Sequence, residues 1–234
     1  MQLPKITALP ASDVGRARRI LTAETRDVHM AVHAQRELRE LLVGDFERAS
    51  YAALLRAEGG FLQGLETCRA RRGEFEELGF GASTDAVDRD LAGLGALGAV
   101  PTCAFGWIGT RDELLGALYA AHGVALGRGT FARRVEQELP AAPTRFLGRD
   151  LDPLVWLVLT RELNEVFSVS ADRPDLASWS ALVAAARRTF QYYRHWMASL
   201  LTSGADEQDV VAGESRPREW GAPQGRPLPL TLVP

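Results

Sequence analysis

Two of the four histidines, His29 and His33, lie four residues apart in a segment with a helical pattern of apolar residues. Side chains at positions i and i+4 are neighbours on a helix, so both imidazoles are expected on one face, beside Leu21, Val28 and Val32. A histidine among apolar neighbours is either a core residue bonded to a backbone carbonyl or a metal ligand. The spacing alone leaves both interpretations open.

A second segment with residues of chemical interest covers 110–134. Thr110 and Glu113 form the pattern of a capping box, which predicts the start of a helix. Three glycines interrupt the apolar rows of this helix and should weaken it by roughly 2–3 kcal/mol in total. They are Gly123, Gly127 and Gly129, and His122 precedes the first of them. Either something flat or bulky lies against this backbone, or the glycines allow tight packing of two helices.

The whole chain has 234 residues, of which 46% are hydrophobic and 24% are charged, and its net charge is -3. This composition predicts a globular protein and offers no basic field for nucleic acid or an anionic membrane. No apolar run reaches the roughly 20 residues of a membrane span, and the N-terminus lacks the apolar region of a signal peptide. Cys68 and Cys103 match no zinc spacing and are too few for a disulfide framework, so we expect buried free thiols and a cytoplasmic protein.

Helical patterns continue along most of the chain, with no convincing strand and no internal repeat. The predicted helices cover about 12–43, 46–78, 85–97, 110–134, 150–167 and 175–202. Gly59 and Gly60 interrupt the second helix, which indicates a kink or the close approach of another element. We therefore predict an all-α, single-domain multi-helix bundle over 12–203. A loose lead-in over 1–11 and a proline-rich, extended or disordered tail over 204–234 would flank it.

Five segments share their order and spacing with one known family. They are Leu21–His29, Gly44–Glu66, Asp85–Gly95, Leu115–Gly127 and Ala186–Trp196. The third contains the pattern Asp-Leu-x-x-Leu-Gly, and the fourth begins with Leu-Gly-Ala-Leu-Tyr. Together the segments resemble the haem oxygenases, specifically the bacterial, biliverdin-forming, phytochrome-associated type. The resemblance implies a haem-oxygenase-like helical bundle.

The same resemblance assigns roles to individual residues. It implies that His29 is the proximal ligand of the haem iron. Gly123 and Gly127 would lie on the distal helix, where the lack of a Cβ lets the backbone approach the porphyrin. His122 is a third candidate for catalysis, as a holder of distal water or a second iron ligand, with a packed or surface position as the alternative. The other expected haem contacts are Thr25, Tyr119, Arg161 and Phe190.

The implied activity is oxidative cleavage of haem, which is both substrate and cofactor, to biliverdin, carbon monoxide and iron. A ferredoxin or reductase would be the external electron donor, and a phytochrome is a candidate recipient of the biliverdin. The alternative is a protein of this fold that binds haem or another ligand without degrading it. A third hypothesis keeps only the scaffold with a di-iron site, but the Glu-x-x-His pairs that such a site needs are absent near the histidines.

Five positions depart from the family pattern. His33 stands where an acidic residue is common, and Thr22 stands where a basic residue holds a haem propionate. His122 replaces a glutamate or comparable polar residue, and Val124 replaces a polar residue that supports a water network near the haem. Arg128 replaces the second glycine of the distal pair. These departures concern haem orientation and turnover more than the fold.

Overall fold

The computed structural model describes residues 15–44, 46–96, 98–149, 152–172 and 177–203. Within these ranges the regular elements are helices and none is a strand, which confirms the predicted all-α class. The predicted lead-in over 1–11 and the tail over 204–234 lie outside the described residues. No helix in the described part of the chain is long and apolar enough to cross a membrane.

One long helix, the last in the described part of the chain, organises the bundle. The helices are α1 (Arg16–Glu24), α2 (Arg26–His33), α3 (Arg36–Val43), α4 (Arg48–Arg72), α5 (Gly81–Gly93), α6 (Arg111–Ala125), α7 (Arg128–Glu138), α8 (Pro153–Asp172) and α9 (Ala177–Ser203), with a short 3₁₀ helix at Glu76–Leu78. α9 packs against α2, α3, α4, α6 and α8. A contiguous hydrophobic core surrounds it.

The first predicted helix, over 12–43, is three helices in the structure. Thr25 separates α1 from α2 with a non-helical backbone, and its hydroxyl donates to the carbonyl of Leu21 (2.8 Å). A bond back to residue i−4 often bends a helix. Gln35 separates α2 from α3 with an extended backbone, and its side-chain amide donates to the carbonyl of Arg194 on α9 (3.1 Å). The prediction of one continuous helix is therefore wrong.

Glycines on α4 bring this helix against the irregular segment that precedes α6. A Cβ at Gly60 would lie 1.8 Å from the carbonyl oxygen of Pro101, and a Cβ at Gly64 would lie 1.9 Å from that of Cys103. Such distances leave no room for any side chain. α4 continues without interruption through both glycines. Of the two predicted explanations for the paired glycines, the close approach of another element is confirmed.

α6 begins as the sequence predicts and ends earlier. The hydroxyl of Thr110 accepts a hydrogen bond from the backbone N–H of Glu113 (3.2 Å), and the Glu113 carboxylate accepts one from that of Thr110 (2.9 Å), so the capping box is confirmed. The helix ends at Ala125 instead of continuing to 134, and α7 begins at Arg128. The predicted glycine-rich helix is thus two helices with a turn between them.

Gly116, which the sequence showed only as part of the Leu-Gly-Ala-Leu-Tyr motif, sets the distance between α6 and α9. A Cβ at Gly116 would lie 2.2 Å from the carbonyl oxygen of Leu182 and 3.0 Å from the backbone nitrogen of Ala186. Tight helix–helix packing through a small residue therefore occurs at this position. At Gly129, by contrast, a Cβ would have no neighbouring atom within 4 Å.

We predict that Gly116→Ala destabilises the protein by about 1–3 kcal/mol, because the new methyl group displaces the α9 backbone and no flexible side chain can move instead. Chemical denaturation followed by circular dichroism measures this change. Gly129→Ala is the control, since it adds a methyl group in open space and should leave the free energy of unfolding unchanged or raise it by up to about 1 kcal/mol. Equal stabilities of the two variants would contradict the close approach.

Candidate functional site

A cavity of about 230 Å³, partly open to solvent, lies where α2, α3, α4, α7 and α9 meet. Its apolar lining consists of Val32, Leu38, Leu42, Val124 and Phe131. The polar lining consists of His29, His33, Arg39, Glu58, Thr130, Arg128 and Tyr193, and Gly127 completes the wall. Although the polar residues outnumber the apolar ones, most of the surface exposed in the cavity is apolar, as is typical of sites for small molecules.

The wall on α2 carries the two histidines. The Nε2 atoms of His29 and His33 are 3.2 Å apart, so one imidazole donates a hydrogen bond to the other. The ring of His29 also packs on that of Phe190, with 5.1 Å between the centroids. Burial lowers the pKa of His29, and the neighbouring His33 lowers it further. Both effects favour the neutral imidazole, which is the form that binds a metal ion.

Another wall is formed by the turn between α6 and α7. Gly127 has right-handed backbone angles that any residue can adopt, and a Cβ there would come no closer than 3.4 Å to the carbonyl oxygen of Val124. Neither the backbone nor the packing therefore requires glycine, and its effect is to leave room at the cavity. Gly123 does not line the cavity, and a Cβ there would lie 3.6 Å from the ring of Phe190, at ordinary contact distance.

Three buried polar side chains form the inner end of the cavity. The Tyr193 hydroxyl on α9 donates to Oε1 of Glu58 on α4. The guanidinium of Arg128, the first residue of α7, stacks over the ring of Phe146 at 4.2 Å and places Nη2 3.6 Å from Oε2 of Glu58. Glu58, Arg128 and Tyr193 are 5%, 6% and 3% exposed. Burial lowers the pKa of Arg128, an effect that Glu58 opposes, and burial raises the pKa of Tyr193.

This cluster of Glu58, Arg128 and Tyr193 is incompletely hydrogen-bonded. Within the described part of the chain, Oε2 of Glu58 and both Nε and Nη2 of Arg128 have no hydrogen-bond partner. From the sequence, Arg128 was visible only as a departure from a glycine, and the other two were not predicted as site residues. The available signal was Glu58 itself, a charged residue that directly precedes two glycines in the apolar part of α4.

His122, expected among the catalytic residues, does not line the cavity. Its Nε2 lies 3.1 Å from the carbonyl oxygen of Leu78, and its ring stacks on Phe80 with 4.4 Å between centroids. Burial is the main cause that lowers the pKa of His122 to about 4, so the imidazole is neutral at pH 7. The structure thus gives His122 the packed position that was the alternative to a role at the haem.

Two residues predicted to contact haem bond elsewhere. Thr25 is buried, and its hydroxyl is bonded to the backbone of α1. The hydroxyls of Tyr119 and Thr22 are 2.9 Å apart, which joins α6 to α1. None of these side chains lines the cavity. Their observed contacts are those of residues that hold the helices together.

The last two predicted haem contacts differ in their positions. Arg161 is exposed on α8 and pairs with Glu162 (2.7 Å), away from the cavity lining. Phe190 does not line the cavity either. Its ring packs against the ring of His29 and lies beside Gly123. The structure therefore brings His29 and Gly127 together at one cavity and leaves the other predicted site residues outside its lining.

α3 and α7, which carry much of the lining, are joined by a hydrogen bond from the middle of α7 to the residue that follows α3. Nη2 of Arg134 on α7 donates to the carbonyl oxygen of Gly44, just after α3 (2.6 Å). In the described residues no group of three or more histidine, cysteine, aspartate or glutamate side chains is placed to hold a metal ion.

Comparison with known proteins adds nothing to these contacts. No family model, curated protein or solved structure matches this chain. The resemblance to haem oxygenases accordingly rests on the residues of the chain alone.

Because His122 is buried, we predict that the free energy of unfolding depends on pH. Its pKa is about 4 in the folded state and near 6.5 when unfolded, so the stability it contributes is complete above pH 6.5 and is lost as the pH falls towards 4. Between pH 7 and pH 5 the loss should reach about 2 kcal/mol. His122→Gln, which retains a donor for Leu78 but does not titrate, should lose that much less in urea unfolding at the two pH values. The same loss in both proteins would show that the pKa of His122 is not lowered by folding.

Proposed function

We propose that this chain binds haem in the cavity between α2 and α7 and cleaves it oxidatively to biliverdin, carbon monoxide and iron. The observation that supports this proposal best is that His29 and Gly127 line one cavity, although they are far apart in the sequence. The family resemblance gave these two residues to opposite sides of a haem.

The side chains present match the groups that a haem offers. A neutral His29 is a suitable iron ligand, and the apolar walls suit a porphyrin ring. Arg39 lines the cavity from the exposed side of α3, where a guanidinium can bind a carboxylate. The cavity of about 230 Å³ is smaller than the roughly 300–1,000 Å³ of typical ligand sites. A porphyrin therefore has to use the open side or separate α2 from α7.

Each residue of the cavity would have a separate task. His29 ligates the iron through a ring nitrogen, and His33, which is exposed, turns away if that nitrogen is the one it now contacts. Gly127 leaves space for the ligand on the other side, and Val124 keeps water away from it. Haem, when bound, supplies the redox-active iron and is itself the substrate. A ferredoxin or reductase provides the electrons, and a phytochrome is a candidate recipient of the product.

A reducing compartment agrees with this proposal. Cys68 and Cys103 are both buried free thiols. Burial raises the pKa of the Cys103 thiol to about 12, so this residue is not a reactive thiolate. We therefore propose a cytoplasmic location, where such thiols stay reduced and where electron donors of this kind are found.

A second candidate function is haem binding without cleavage. It is favoured by Val124, an apolar residue in the cavity wall at the position where the family resemblance leads one to expect a polar side chain. A pocket without that polar group would hold haem yet lack the means to direct a proton to the reacting oxygen. Both functions predict binding of haem, and they differ only in its fate once the iron is reduced.

Hemin titration tests the proposed ligand. The wild-type protein should give a saturable Soret band, and His29→Ala should lose the low-spin component seen at high pH, which added imidazole should restore. His33→Ala is the matched control, because it removes the exposed neighbour on the same helix and should retain the wild-type iron spectrum. A wild-type protein without a Soret band, or a spectrum that depends on His33 and not on His29, would refute the proposal.

Turnover of hemin distinguishes the two candidate functions. It also tests whether Gly127 leaves room for the ligand. After addition of ascorbate or a ferredoxin–reductase pair, the Soret band of the oxygenase should bleach and a green product with the mass of biliverdin should form. Gly127→Leu should weaken hemin binding and slow bleaching, because the side chain enters the cavity. Gly129→Leu, two residues further along in open space, should behave as wild type. Stable hemin without green product would leave haem binding alone, and full activity in Gly127→Leu would contradict the role of that wall.

A further inference from the structure

The cluster of Glu58, Arg128 and Tyr193 is firmly positioned but left with unused hydrogen-bonding capacity. Its parts come from three helices, and each is held by a contact of its own: Tyr193 by Glu58, and Arg128 by the face of Phe146. The two unpaired N–H groups of Arg128 and the unpaired oxygen of Glu58 belong to side chains that also line the cavity. The three side chains are therefore held in place, although not all of their hydrogen-bonding groups are paired with one another.

Stability does not account for this arrangement. Burying a polar group without a hydrogen bond costs free energy, and a buried ion pair compensates for its desolvation only when its geometry is good. The 3.6 Å between Nη2 of Arg128 and Oε2 of Glu58 is too long for a direct hydrogen bond. Apolar residues of similar volume would stabilise the fold at least as well. The unpaired atoms are themselves buried, but their side chains line the cavity, so a small shift of these side chains brings the atoms into contact with a molecule there.

The charges of the cluster define what such a molecule should carry. Arg128 and Glu58 have opposite charges, so the pair is neutral overall and offers both donors and an acceptor. A carboxylate would bind Arg128 but meet the charge of Glu58, and an ammonium group would meet that of Arg128. A neutral group that donates and accepts hydrogen bonds, such as a hydroxyl or an amide, satisfies both partners at once.

The remaining wall defines the rest of the ligand. Val32, Leu42 and Phe131 are apolar and line the same cavity. We propose that the cavity contains a polar subsite, made by Glu58, Arg128 and Tyr193, that selects a neutral hydroxyl or amide group on a small apolar body. This subsite does not depend on His29 or on haem, so it goes beyond the proposed function and is tested without iron.

Three flat probes of equal ring size separate the possibilities. 2-Naphthol carries a neutral hydroxyl, naphthalene has no polar group, and 2-naphthoate carries a negative charge at pH 7. Fluorescence titration of the iron-free, full-length protein should show 2-naphthol binding about tenfold or more tightly than either of the others, because only it can satisfy both unpaired partners. Equal affinities for 2-naphthol and naphthalene, or tighter binding of 2-naphthoate, would overturn the proposal.

Substitution of Glu58 should reverse the preference. Glu58→Gln keeps an oxygen for the Tyr193 hydroxyl but removes the negative charge, which leaves the Arg128 cation unbalanced. The variant should then bind 2-naphthoate more tightly than 2-naphthol, by about tenfold. Arg128→Met should weaken 2-naphthol binding, because the donor is lost, and should weaken 2-naphthoate binding further, because the charge of Glu58 is no longer balanced. Unchanged selectivity in both variants would mean that the cluster does not face the ligand.

A matched ion pair elsewhere controls for general effects on folding. Arg111 and the buried Glu162 form a close pair that does not line the cavity. Glu162→Gln should lower stability in urea without changing the order of probe affinities, and a change in that order would contradict the location of the subsite. Circular dichroism confirms that each variant is folded before titration. If Arg128→Met does not fold, Glu58→Gln and Tyr193→Phe still decide the outcome, because both retain the arginine and should alter selectivity.

Competition with hemin tests whether haem and 2-naphthol bind in the same cavity, and each proposal can still fail independently of the other. Displacement of 2-naphthol by hemin would put both ligands in one cavity. A protein that selects 2-naphthol but shows no Soret band refutes haem binding and supports the subsite. A protein that binds hemin through His29 but shows no selectivity among the probes refutes the subsite and supports haem binding.

Discussion

The backbone contact between α6 and α9 at Gly116 is the constraint on which the rest of the structure depends. With no Cβ between them, α9 lies close enough to α6 to present its other faces to α2, α3, α4 and α8. Through these contacts Phe190 supports the ring of His29, and Tyr193 binds Glu58. The histidine wall and the inner end of the cavity are thus both positioned by one helix, the last in the described part of the chain.

The cavity combines two kinds of chemistry. On α2, a half-buried imidazole whose pKa is lowered stays neutral at physiological pH and is able to ligate a metal. At the inner end, an arginine and a glutamate face each other in an environment from which water is largely excluded, where charges interact strongly and unpaired ones are costly. A ligand that fits both must be apolar in its body and matched to each polar end.

Sequence patterns predicted the features of this fold that depend on nearby residues. The capping box at Thr110 and the close approach at Gly60 follow from local chemistry, because a helix start and a glycine in a helix interior each have few physical explanations. The breaks at Thr25 and Gln35 were missed because the apolar periodicity continues across them. The hydrogen bond made by the Gln35 side chain goes to α9, far away in the sequence. For the same reason His122 could be recognised as unusual, but not placed, until its partner Leu78 was known.

The residues of the candidate site also fall into two groups, those predictable from the sequence and those that only the fold brings together. His29 and Gly127 were identified because their types and positions matched a family pattern, whereas Glu58 and Tyr193 are common residues that acquire meaning only by meeting Arg128. These groups become neighbours only when three helices pack together, and no local sequence motif predicts that packing. Where a glycine was expected, the arginine itself was the visible sign that this cavity differs from the family pattern.

The hydrogen bond from Arg134 to the carbonyl of Gly44 has a kinetic consequence. It ties α7 to the residue that follows α3. A ligand that enters by moving these helices apart must first break a bond between a charged donor and a carbonyl, worth about 1.5–3 kcal/mol. Because the bond forms again once the ligand is inside, that cost enters the barriers for association and dissociation alike. For a ligand that takes this route, the bond slows exchange in both directions by about one to two orders of magnitude and leaves the affinity unchanged.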